Sequence, residues 1–146
     1  MALLADDPAD RADQLLTLTE RLTLLTRSET EALRARAPIA TVKAEELARL
    51  ANAYRLEMAR IKQDKSLISP APLRARQALQ VATERLQVAL DAHIAALNAA
   101  REMTEGLARA MAEEVARLTA GPRTYGAQGS YRAQSAPIPV AASKEA

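Results

Sequence analysis

The chain has no cysteine, phenylalanine or tryptophan, and it has one histidine, three tyrosines and four glycines in 146 residues. Without cysteine there is no disulfide, no thiolate nucleophile and no cysteine-based metal site. Without large aromatics the core cannot rest on their buried area. Leu, Ala, Val and Met must fill it, and these suit helices. Few glycines interrupt such helices, so the composition favours long helices packed side by side. One histidine cannot repeat the ExxH pattern of carboxylate-bridged metal bundles. There is no HExxH segment and no glycine-rich phosphate loop: Gly126 and Gly129 are not followed by a helix. No catalytic constellation emerges, and the expectation is a binding protein, not an enzyme, with no cofactor and no metal.

Long apolar runs are also missing. None approaches the roughly 20 residues that span a bilayer, so direct membrane insertion is not expected. The N-terminal MALLADDPADRAD is acidic and does not read as a secretory signal. The lack of cysteine is compatible with the cytoplasm. The net charge of +2 gives no general attraction to nucleic acid. Aromatic interleaving for base stacking and a short recognition-helix unit are both absent. One stretch is locally basic. Residues 49–76 hold Arg49, Arg55, Arg60, Lys62, Lys65, Arg74 and Arg76 against Glu57 and Asp64. It reads as a solvated face or as a patch for an acidic protein surface.

Three helices are predicted: about 7–36, 41–65 and 70–120. Asp7 caps the first, and Pro8 fits its first turn. Leu15, Leu18, Leu22, Leu25 and Leu33 form its stripe, flanked by Thr19 and Thr26. Ala37-Pro38 ends it. Thr41 is the expected cap of the second helix, whose stripe is Leu47, Leu50, Tyr54, Met58 and Ile61. Ser69 is the expected cap of the third, with Pro70 and Pro72 in its first turn. That helix meets no strong break before Gly121-Pro122, about 75 Å at a rise of about 1.5 Å per residue. At about 100° per residue its large residues form one stripe: Leu79, Leu86, Leu90, Ile94, Leu97, Thr104, Leu107, Met111, Val115 and Leu118. A second face of Val81, Val88, Ala92, Ala95, Ala99, Met103, Gly106 and Ala110 is small enough for a close neighbour. The early part of the helix is therefore expected to be sandwiched. His93 is expected to be structural, buried or at a boundary with one hydrogen-bond partner. The fold class is all-α: an elongated antiparallel three-helix bundle over 1–120, with one very long C-terminal helix. Residues 121–146, rich in Pro, Gly, Ser and Ala, read as a flexible, disordered tail holding Tyr125 and Tyr131.

At the end of the third helix stands Glu105-Gly106-Leu107. About a dozen helical residues later comes Thr124-Tyr125-Gly126-Ala127-Gln128-Gly129. This arrangement, over roughly residues 10–130, resembles the FlgN-type flagellar export chaperones. The resemblance implies a cytoplasmic chaperone that binds hook–filament junction proteins, prevents their premature association and delivers them to the type III export gate. It implies cargo binding along Leu107, Met111, Val115 and Leu118, and export-gate binding through Tyr125. A second reading of the same stripe is a self-associating coiled-coil structural or regulatory protein, with the helix-three seam closing a homodimer.

Overall fold

The computed structural model describes residues 3–121. Three α-helices carry the chain: α1 (Pro8–Ala35), α2 (Thr41–Gln63) and α3 (Leu73–Thr119). A single 3-10 turn, Lys65–Leu67, follows α2. No strand occurs among the described residues. The all-α reading with a long last helix is what forms. The described residues fall into two units, divided between Arg109 and Ala110.

The helix ends follow local chemistry. Asp7 is extended, and its Oδ1 accepts from the backbone N–H groups of Ala9 and Asp10, both at 2.8 Å. These are two of the donors a helix start leaves without partners. At the other end of α1 the Arg36 backbone turns left-handed at φ 53. Ala37 N–H then reaches Ala32 O at 2.9 Å, and Pro38 prevents any continuation. Two expected caps are corrected. Ala40, not Thr41, occupies the N-cap of α2, with no side-chain bond; Thr41 is already helical. Asp64 ends α2 and caps the 3-10 turn through Ser66 N–H and Oγ. These two bonds hold the Asp64 carboxyl below its ordinary range, the side-chain bond being the larger cause. The third helix starts at Leu73, not Pro70. Pro72 supplies the first helical carbonyl, accepting from Arg76 N–H at 3.1 Å, and Ser69 lies in the turn before it.

In the first unit, α1 is the central helix. It is buried on a broad stripe: Ala12, Leu15, Leu18, Leu22 and Leu25, with Thr19, Thr23, Thr26 and Thr30. Each buried leucine contributes roughly 1.5–3 kcal/mol before ordering costs. The threonines are not flanking residues, as their polarity suggested. Thr19, Thr23 and Thr30 donate to the carbonyls four residues earlier, at 2.7–2.8 Å. A threonine satisfied this way packs as a compact branched residue.

One side of α1 meets α2 running the opposite way. Arg11 pairs with Glu57, Arg21 pairs with Glu46, and Leu25 and Ser28 share a hollow with Lys43 and Ala44. Glu57 is the one buried residue of α2. The expected α2 stripe is only partly covered: Leu47, Leu50, Tyr54 and Ile61 are half-buried and Met58 is exposed. Arg21 holds Glu46 with a fork, Nε to Oε1 at 2.8 Å and Nη2 to Oε2 at 3.0 Å. That fork, before any other cause, keeps the Glu46 carboxyl below its ordinary range.

The other side of α1 meets α3 running the same way. Leu15 lies by Leu79 and Thr83, Thr23 by Ala82, and Thr30 Oγ1 is 3.1 Å from His93 Nδ1. The seam of α3 is Ala82, Leu86, Ala89 and Ala96. This corrects two expectations. Leu90, Ile94 and Leu97, on the large-residue stripe, are exposed. The second face is not sandwiched either: Val81, Val88, Ala95, Ala99, Met103 and Gly106 are exposed, and a Cβ at Gly106 would meet nothing within 4 Å. Close approach is made by small residues, but by Ala82, Ala89 and Ala96, seven residues apart and so on one face, facing the threonine side of α1.

Candidate functional site: an uncovered apolar ridge on the last helix

Cover on α3 ends abruptly. Thr30, near the end of α1, meets His93, and α1 stops at Ala35. Ala96 is the last buried residue of α3 and Ala100 the last half-buried one. Every described residue from Arg101 onward is exposed. Helix continues nonetheless to Thr119. Its residues after 100 are covered by none of the described residues, so among these their helicity rests on propensity and local pairs. Arg101 Nε donates to Glu105 at 2.8 Å and Arg117 Nη2 to Glu114 at 2.6 Å. Thr104 and Thr119 satisfy their hydroxyls on carbonyls of the preceding turn. At the end, Gly121 takes φ +65, a conformation that L side chains rarely adopt.

The cargo residues expected from the sequence lie on this uncovered helix. Leu107, in the first unit, is 62% exposed. At about 100° per residue it is in phase with Leu86, Ala89 and Ala96, the buried seam. The apolar face therefore runs on after its cover has ended. In the second unit Met111, Val115 and Leu118 are 61%, 58% and 71% exposed, at spacings of four and three that place them on one helix face. Single exposed aliphatics are ordinary; a row of them on one face marks an interaction surface. The ridge holds no group that could act as nucleophile or proton shuttle. Among the described residues no group of three or more His, Cys, Asp or Glu could hold a metal ion. Nor is any helix there long and apolar enough to cross a membrane. Tyr125, with residues 122–146 of the expected tail, lies outside the described residues.

A second exposed row, Leu90, Ile94 and Leu97, sits on α3 within the first unit. The sequence projection placed these three residues on one stripe with Leu86, which is buried. What it lacked was the knowledge that α1 presents threonines, which accept alanines more closely than leucines.

The chain is 42% identical over 131 residues to the flagellar basal-body protein FlbY of Caulobacter vibrioides, covering 88% of each chain. This chain belongs to the FlbY family. The match spans far more than the terminal motifs, so it takes in the α1–α2 pairing as well as the uncovered ridge. No family model matches the chain, and no solved structure matches it.

Proposed function

We propose that this member of the FlbY family serves the flagellum as an export chaperone, masking an apolar helix of a flagellar subunit before assembly. The observation that carries the reading is the row Leu107, Met111, Val115 and Leu118, helical but uncovered. A helix of the cargo lays its apolar side on this row, as helices do in grooves. Gross gains of roughly 1.5–3 kcal/mol per covered side chain, less ordering costs, give binding that can still be released. Handover needs no nucleotide or metal, because binding only hides a surface. The name of the relative, a flagellar basal-body protein, supports a flagellar setting. The resemblance to FlgN-type chaperones supplies the finer terms. The cargo is a hook–filament junction protein, the location is the cytoplasm, and Tyr125 engages the cytoplasmic domain of the export gate.

Pull-down of purified junction proteins by the intact, folded chain tests the cargo. No retention of any of them rules the cargo out. Tyr125→Ala separates the two roles. It is expected to weaken gate binding and motility while cargo binding stays at the parent level; equal loss of both contradicts the division.

A second reading draws on the exposed Leu90, Ile94 and Leu97. Two copies meeting on that row would form a coiled-coil-like seam and make the protein a structural or regulatory element of the flagellar base. Light scattering distinguishes them. A dimer that persists at all concentrations and does not open for cargo favours this second reading.

A further inference from the structure

The basic stretch noted in the sequence is not used by the ridge on α3, and it has its own geometry. It surrounds the place where the last turns of α2, the 3-10 turn and the first turns of α3 come together. Two adjoining hollows there share Met58, Ile61, Ile68 and Arg76. Leu79 extends the apolar floor from the α3 side. None of these apolar side chains is fully buried. They form a shallow open groove, not a filled core.

The rim is cationic and unspent. Lys62, Lys65 and Arg76 line the groove, and among the described residues none of the three is in an ion pair. The nearby acids are engaged elsewhere. Glu57 is turned inward to Arg11, and Asp64 is occupied with Ser66. One carboxylate, Glu84, lines the α3 end of the groove and accepts from Gln80 at 3.2 Å. Arg76 is partly fixed: its Nε donates to the carbonyl of the buried Ala71 at 3.1 Å. The groove thus has an apolar floor, three cations at the turn end and one anion at the far end. A half-exposed aliphatic floor draws an apolar face. Cations beside a partly desolvated floor attract carboxylates more strongly than in open water, and they repel a basic occupant.

We infer that this groove is a docking site for an acidic amphipathic helix of a protein partner. Its apolar side fills the row Met58, Ile61, Ile68 and Leu79, and its carboxylates meet Lys62, Lys65 and Arg76. The site is separate from the ridge on the last helix and does not depend on the chaperone reading. Charge selects the partner class, since a basic or neutral helix gains only the floor.

A display selection of helical peptides against the full chain tests this, followed by titration of the best binder by fluorescence anisotropy. Selected peptides are expected to carry Asp or Glu flanking an apolar row. The doubly substituted chain Lys62→Glu/Lys65→Glu, at two exposed positions, is expected to keep the parent circular dichroism. It is expected to lose at least about tenfold in affinity for the acidic peptide and to gain for the same peptide with Lys in place of Glu. Selected peptides without acidic bias, or titrations indifferent to the substitutions, overturn the inference. Two further results also overturn it. One is lysine-dependent binding to phosphatidylglycerol–phosphatidylcholine vesicles without peptide binding, which makes the occupant a lipid surface. The other is dimerisation of the parent chain that the double substitution abolishes, which makes the occupant a second copy.

Discussion

Glu57→Ala is the substitution that most sharply tests how the first unit is held. The Glu57 side chain is 2% exposed and its partner, the Arg11 side chain, 13%. The second neighbour, Arg60, is 3.6 Å away but 52% exposed, so losing it matters little. Removing the carboxylate strands the Arg11 guanidinium against α2 with a narrow route to water. Breaking a buried pair from one side costs about 3–5 kcal/mol; Arg11 is not wholly enclosed, so about 3 kcal/mol is expected. For a unit of roughly a hundred residues that is a fall in Tm of about 10–20 °C. Removing both charges behaves differently. Arg11→Met with Glu57→Leu restores apolar packing and leaves no stranded ion, so it is expected within about 1 kcal/mol of the parent, or above it. Urea unfolding followed by far-ultraviolet circular dichroism measures both. A double variant as unstable as Glu57→Ala refutes the reasoning, because the damage would then come from lost shape and not from an unpaired charge. A single variant as stable as the parent refutes it too.

Leu86→Ala is expected to cost about 2–4 kcal/mol, since Leu86 is 2% exposed on the α3 seam, while Leu118→Ala, on the uncovered ridge, stays within about 0.5 kcal/mol; equal effects on urea unfolding contradict the placement of the seam. The Arg21 fork favours ionised Glu46 in the folded chain. Its contribution is therefore present above the unfolded carboxyl pKa and fades as pH falls through the lowered folded value. NMR titration of the Glu46 side chain is expected to show a midpoint below that of a free glutamate, and Arg21→Ala is expected to return it to the ordinary range.

The helices were legible because their ends are written in local chemistry: Asp7 before Pro8, Pro38 after α1, Gly121 after α3. The partnering of faces was less so. The projection of helix α3 gave a large-residue face and a small-residue face, and the buried seam of Ala82, Leu86, Ala89 and Ala96 falls between them. The alanine seam prevails because α1 turns Thr23 and Thr30 toward it, and threonine reads as polar until its hydroxyl is seen bonded to its own helix. Glu57 escaped notice for a similar reason. A lone glutamate in a basic stretch looks solvated, and its partner Arg11 lies 46 residues away. The exposure of Leu107, Met111, Val115 and Leu118 was not legible from periodicity, which puts them on the same stripe as the buried Leu86.

The central claim is that this uncovered ridge holds a cargo helix. Calorimetric titration of a hook–filament junction protein into the parent chain and into Met111→Asp tests it most directly. Met111 is exposed, so the substitution is expected to leave circular dichroism and Tm unchanged. Placing a charge under a covered apolar face is expected to weaken cargo binding by at least about tenfold. Undiminished affinity in Met111→Asp, or no binding by the folded parent chain, contradicts the account.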